Sequence, residues 1–343
     1  MKDTIPFWNW FKANHERYKN IHAHGMDTIN QLLDELITEL KKYSEGLFVE
    51  IGGRAEPYEL IITPQGMRDY FADAEWLVLN SLPVDGWQYF ALKPPHGMSF
   101  DFRMGDMELK PASIFFKPFV DEEDEESIGI CVLHKDFQEE DEERRNALIN
   151  GLYHCLDSVL GEYSVTLDIN FLEFDKLPDG GETQEGILSI SELVNYISWR
   201  KKERKMYEVR QPGDETSLLQ GTRDNKPVFI LVNRLFKHYN YKPEYPFLLT
   251  TQIQFNETRQ DGLPEDSMED IYSIEDYIVT TIGENGHHIV SETYDGIRTV
   301  YCYIDTLENA QRIRAAIYDG ISSHKLNAEI AYDKYWVEVM GYM

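Results

Sequence analysis

The sequence predicts an α+β protein of two domains, and three observations carry that prediction. Apolar residues recur at helical spacing in some segments and alternate in others. Turn residues separate the two kinds of segment and leave strand segments close enough for antiparallel pairing. The 343 residues, 42% of them hydrophobic, suffice for two cores.

In the first half, Leu32, Leu33, Leu36, Ile37 and Leu40 mark one apolar face of a helix over Asp27–Tyr43. Leu47–Ile51 and Tyr58–Thr63 read as strands on either side of Gly52-Gly53 and Pro57. A second helix is expected over residues 65–81, then strands over Trp87–Lys93, Ser113–Val120 and Ile128–His134. Glu139–Leu160 is again helical, and Thr166–Phe174 reads as a closing strand. Helices packed on a largely antiparallel sheet account for this order. Pro178-Asp179-Gly180-Gly181-Glu182 interrupts it, which predicts domains of residues 1–180 and 181–343.

Beyond the interruption, Ser189 and Glu192 have the spacing of a capping box. The helix they open ends in Arg200, Lys201, Lys202, Arg204 and Lys205, cations that a helix dipole favours in a last turn. Pro227–Phe236 and Phe247–Phe255 are strands, the second with Leu249, Thr251, Ile253 and Phe255 on one face. Ile271, Ile274, Ile278 and Ile282 stripe a helix over residues 267–282. His288–Tyr294 and Thr299–Ile304 form a hairpin through Asp295-Gly296. Leu307, Ala310, Ile313 and Ile317 mark a further helix, and Glu329–Met340 the final strand. From Phe247 the order is β-α-β-β-α-β, which is ferredoxin-like.

Charge limits the partners. Lys and Arg number 33 against 61 Asp and Glu, a net −28, with twelve acidic residues and one basic, Lys135, over residues 121–143. Such a field repels nucleic acid and anionic membranes and attracts basic surfaces. Arg200–Lys242 runs the other way, with eleven basic residues. No apolar stretch approaches the roughly 20 residues of a membrane helix, and residues 1–8 lack the pattern of a signal peptide. Cys131, Cys155 and Cys302 show no Cys-x-x-Cys spacing, so a reducing cytoplasm is the expected setting.

Catalytic motifs are missing. Neither a phosphate-binding glycine loop, a Gly-x-Ser-x-Gly elbow nor a His-Glu-x-x-His helix occurs. His22 and His24 lie between helices and read as solvated loop residues. His287 and His288 open a strand, one side chain toward the core and one toward water. His154 and Cys155 point about 100° apart on a helix, a poor geometry for a nucleophile and its base. Glu173 and Asp175 share a solvated strand face. Asp121, Glu122, Glu123, Asp124, Glu125 and Glu126 lack the ligand spacing of a calcium loop and read as a charged hairpin tip. No metal and no cofactor is indicated. Aromatic residues crowd two places: Phe7, Trp8, Trp10 and Phe11, expected to pack on their own domain, and Tyr239, Tyr241 and Tyr245 beside Lys237 and Lys242, a candidate partner surface.

The stretch from Tyr207 to Ile304 resembles a bacterial family, domain of unknown function 695. The resemblance rests on Lys226-Pro227-Val228-Phe229-Ile230-Leu231-Val232-Asn233, the strand to Phe255, Gly262-Leu263-Pro264 and Gly296-Ile297-Arg298. The first half is similar to a companion region of such two-part proteins through Phe7-Trp8, Trp10-Phe11, Gly86-Trp87 and Lys93-Pro94-Pro95. It implies no activity. Small acidic inhibitors of ribonuclease E share a ferredoxin-like fold, a link by fold analogy only.

Three functional expectations follow. The first is a non-catalytic interaction or regulatory protein that engages a basic partner through the carboxylates of Asp121–Glu126 and through Tyr239, Tyr241 and Tyr245. An alternative is an enzyme with His287 or His288 and nearby carboxylates in an interdomain cleft. In a third, Arg200, Lys201, Lys202, Arg204 and Lys205 dock on the acidic domain and match its charge.

Overall fold

The computed structural model describes residues 1–99, 101–104, 107–119, 127–203, 212, 213, 215–255 and 268–343. The carboxylates at 121–126, the cations Arg204 and Lys205 and the Gly262-Leu263-Pro264 motif lie outside these residues. The fold is α+β, and the chain forms two compact units, Lys2–Arg204 and Lys205–Met343.

The first unit opens with α1 (Ile5–Asn14) and α2 (Met26–Lys41), followed by β1 (Phe48–Gly52), β2 (Tyr58–Thr63), α3 (Phe71–Leu79) and β3 (Trp87–Ala91). Phe7, Trp8 and Phe11 of α1 are buried, so the N-terminal aromatic cluster is core. Trp8 donates its indole N–H to the Leu77 carbonyl at 2.8 Å, which satisfies the one polar atom that burial would strand. β1, β2 and β3 form one sheet, in which β2 and β3 are parallel.

Next come the β4–β5 hairpin (Phe102–Met104 and Met107–Leu109), β6 (Ile114–Phe119) and β7 (Gly129–His134). They precede the long α4 (Glu142–Tyr163), β8 (Phe171–Lys176), β9 (Leu188–Ser189) and α5 (Leu193–Glu203). A second sheet of order β8-β7-β6-β9 carries α4 and α5 through a core that includes Phe116, Val132, Leu152, Leu156 and Leu193. The first unit therefore holds two main sheets rather than one, each with a parallel pair, β2–β3 and β7–β8.

The interruption at Pro178–Glu182 is not the domain boundary. Leu188 and Ser189 pair with Phe116 and Phe115 of β6, and α5 packs into the same core, so the division falls near residue 204. A short β-pairing and the burial of Leu193 and Ile197 outweigh the turn signal.

The second unit opens with a hairpin, β10 (Thr216–Arg223) and β11 (Lys226–Asn233), turned by Asp224 and Asn225 with φ of 51° and 61°. Both angles suit a two-residue hairpin loop. Then follow β12 (Phe247–Gln254), α6 (Met268–Ile282), β13 (Gly286–Tyr294), β14 (Ile297–Ile304), α7 (Leu307–Gly320), β15 (Lys325–Tyr332) and α8 (Val337–Met340). The six strands are ordered β10-β11-β13-β14-β12-β15, every neighbouring pair antiparallel. The last four are the ferredoxin-like arrangement expected from Phe247 onward, and the β10–β11 hairpin extends it at the β13 edge.

The chain end departs from the expected strand over Glu329–Met340. Asp333 accepts from the N–H groups of Val337 and Glu338 at 2.9 and 3.0 Å, and Trp336 has a φ of 59°. An acidic cap at a helix start and a left-handed residue end the strand and begin α8. Trp336 stacks on Tyr303 at 4.3 Å and is fully buried, so α8 closes the sheet face opposite α6 and α7.

Candidate functional site

The described part of the acidic segment is the start of α4. Glu139, Glu140, Asp141, Glu142 and Glu143 are exposed, and none of them is in an ion pair among the described residues. Asp141 is the N-cap, accepting from the Arg144 N–H at 3.0 Å, and helix dipole and carboxylates favour each other there. Some carboxylates elsewhere in this unit are paired: Asp73 with Lys2 at 2.5 Å, Glu35 with Arg17 at 2.7 Å.

Two cations of the basic run have partners close at hand. Arg200 donates to the Ser127 carbonyl at 2.9 Å, and Lys201 pairs with Asp168 at 2.9 Å. Both partners belong to the first unit, so these cations fasten α5 to its own core. Lys202 is exposed on the same helix.

Tyr239, a candidate for partner contact, is only 3% exposed and belongs to the core behind β13. Tyr241 and Tyr245 are half-buried against it. The three crowd the sequence because the loop after β11 covers the open sheet face. The rings of Tyr239 and Tyr245, with Phe236 and Trp336, surround His287: Tyr245 at 4.4 Å, Phe236 at 5.1 Å, Tyr239 at 5.4 Å. Burial there lowers the His287 pKa to about 4. A neutral imidazole with the Tyr239 hydroxyl 3.3 Å away is a packing element.

His288 faces the other side of the sheet, toward α6. A register shift between His288 and Val290 puts His288 and Ser291 on one face, their Nε2 and Oγ 2.8 Å apart. Ser291 donates to Glu275 Oε1 at 2.8 Å, and the other oxygen of Glu275 accepts from Arg298 Nε. Arg298 also donates to Thr293 at 2.7 Å. Serine, histidine and glutamate meet here, yet Ser291 is fully buried and the carboxylate accepts the serine hydroxyl at 2.8 Å, with the imidazole farther off at 3.7 Å. The arrangement organises α6 on the sheet; it does not present a nucleophile.

The thiols are equally withdrawn. Burial raises Cys131 to about 11, with Asp175 and Glu173 adding to it, and burial raises Cys155 to about 12.

A cleft of about 790 Å³ lies in the first unit, against α4. One wall is a polar stripe of that helix: Asn150, His154 and Asp157 are spaced by four and three residues, opposite the buried Leu148, Leu152 and Leu156. The other wall is Gln65, Gly66 and Arg68 after β2, with Lys93 after β3. Lys93 Nζ sits 3.1 Å from Asp157 and 3.2 Å from Glu50. Burial alone would lower the pKa of Lys93, but those two carboxylates hold it above its ordinary value, so the amine is charged. Burial raises Asp157, against the pull of Lys93.

Behind the wall, Glu162 is 1% exposed and accepts from the Thr63 hydroxyl at 2.7 Å, the Gly66 N–H at 2.7 Å and the Lys93 N–H at 3.0 Å. One carboxylate thereby fixes both lips. Next to it, Gly161 has a φ of 79°, and a Cβ there would lie 2.9 Å from Pro95 Cδ. The glycine lets Lys93-Pro94-Pro95 run against the end of α4. The sequence signal was the helical spacing of Asn150, His154, Asp157 and Gly161, a polar stripe on an otherwise apolar helix; the pairing of His154 with Cys155 concealed it.

Among the described residues no three His, Cys, Asp or Glu side chains group as metal ligands, and no helix is long and apolar enough to cross a membrane. No curated protein and no solved structure matches the chain. In the second unit, residues 217–339 match the model described as Family of unknown function (DUF695), so the C-terminal part of the chain is similar to that family.

Proposed function

We propose that this is a non-catalytic interaction protein, acting in the cytoplasm, whose first unit presents acidic surface to a basic partner. One observation carries the reading: the five consecutive carboxylates of Glu139–Glu143 are exposed and without ion-pair partners among the described residues, in the most acidic stretch of the sequence. A surface that keeps such charge uncompensated gains most when a basic surface covers it. The free cysteines suit a reducing compartment.

The enzyme alternative loses its proposed histidines, since His287 is enclosed by rings and His288 is bound into the Ser291–Glu275 network. A regulatory role of the nuclease-inhibitor kind remains an analogy between folds.

Affinity capture on immobilised chain, at low and high salt, tests the reading against a variant with E139Q, E140Q, E142Q and E143Q. A basic partner retained by the native chain, released by salt and lost by the variant is the expected result. Equal retention by both proteins would sink it.

A further inference from the structure

The cleft beside α4 plays no part in the partner contact proposed above, yet it is built as a site. We propose that it binds a small, neutral, polyhydroxylated molecule of the saccharide class.

Charge selects neutrality. Lys93, Arg68 and Asp157 line the cleft, Glu50 pairs with Lys93 and Glu162 lies behind it, so no strong excess of positive charge faces the space. An anion would enter against a net −28 and the buried Glu162 behind the wall. A cation would have to displace Lys93 from two carboxylates that already hold it at 3.1 and 3.2 Å.

Chemistry selects hydroxyls. The side chains of Gln65, Asn150, Tyr153, His154 and Thr166 line the cleft and make no hydrogen bond within the protein among the described residues. Amide, imidazole and hydroxyl offer donors and acceptors side by side, the pattern a polyol satisfies. Asp157 and Arg68 add charged partners, which strengthen hydrogen bonds to hydroxyl groups. Val165, Ile169 and Leu172 give one part of the lining an apolar character suited to the C–H face of a sugar ring.

Size and rigidity agree. About 790 Å³ lies within the range of small-molecule sites and holds one or two sugar rings. Glu162 pins Gly66 and Lys93, Arg68 donates to the Thr166 carbonyl at 2.6 Å, and His96 and Gly97 both donate to the Ser158 carbonyl at 2.8 Å. A lip fixed in advance loses little entropy on binding.

The test uses the full chain with glucose, maltose, N-acetylglucosamine and myo-inositol, and with glucose 6-phosphate and glucosamine as charged counterparts. Saturation-transfer NMR and calorimetry should detect at least one neutral member, bound about tenfold or more tightly than the charged ones. The double variant N150A/H154A, altered at exposed side chains, should weaken binding about tenfold with an unchanged melting temperature. Absence of binding by every neutral member at ~50 mM, well above a millimolar dissociation constant, would overturn the proposal. So would a charged counterpart that binds as tightly, or native affinity in the double variant.

Discussion

Two ion-pair clusters, one in each unit, use the same chemistry for opposite ends. In the second unit Arg298 is 2% exposed and Glu275 nearly as buried; Ser291 donates to Glu275, Arg298 donates to Thr293, and His288 lies against Ser291, while Arg298 Nη2 has no hydrogen-bond partner among the described residues. In the first, Lys93 and Asp157 stand at the edge of a cleft, with the half-exposed Glu50 as a third member. The sealed cluster holds a helix on a sheet. The open one keeps charged atoms within reach of a ligand. What separates them is whether solvent can replace a lost partner, and that can be measured.

The largest effect should come from breaking the sealed pair. Arg298→Ala leaves the Glu275 carboxylate buried with no cation, and uncompensated buried charges cost about 3–5 kcal/mol. Urea unfolding should show that loss in the second unit's transition. Arg298→Met combined with Glu275→Leu removes both charges and should recover most of it. A single variant that costs under about 1 kcal/mol would mean that water reaches Glu275 and that the two clusters do not differ in kind.

Removing the cation of the open cluster should cost less. Lys93→Met strands Asp157 and Glu50, but the cleft admits water to both, so about 1–2 kcal/mol is expected in the first unit's transition. The loss should shrink as pH falls, because Asp157 already has a raised pKa and takes up a proton once Lys93 no longer opposes it. A loss as large as that of Arg298→Ala would erase the distinction.

Much of this fold was legible in the sequence. The isoleucine stripe of α6 and the Asp295-Gly296 turn placed the ferredoxin-like order before any coordinates. The edge strand β10 was missed, because nearly all its side chains are exposed and it has no alternating pattern to show. Pro178–Glu182 looked like a boundary because local turn chemistry is visible, whereas the pairing of Leu188 with Phe116 across the sheet is not. The tyrosine loop looked like a surface for the same reason: its burial depends on Trp336, about ninety residues on. For the cleft, the helical stripe was readable, but the opposite wall comes from two turns that only the fold brings to it.

His287 sharpens the comparison from a third direction, since it is half-buried among rings with no ionic partner among the described residues. Its folded pKa of about 4 lies below the ordinary 6.5, so the unfolded chain binds the extra proton more readily. The stability this contributes is complete above pH 6.5 and is lost as pH falls toward 4. The full shift corresponds to about 3 kcal/mol, and partial exposure of the ring reduces the expected loss to about 1–2 kcal/mol. Stability of the second unit measured between pH 7 and 4 should therefore decline in the native chain. His287→Phe, which keeps the ring contacts with Tyr245 and Phe236 but cannot be protonated, should remove that part of the slope. An unchanged slope in the variant would place the acid sensitivity in the Glu275–Arg298 cluster instead, and the sealed pair would prove the more responsive of the two.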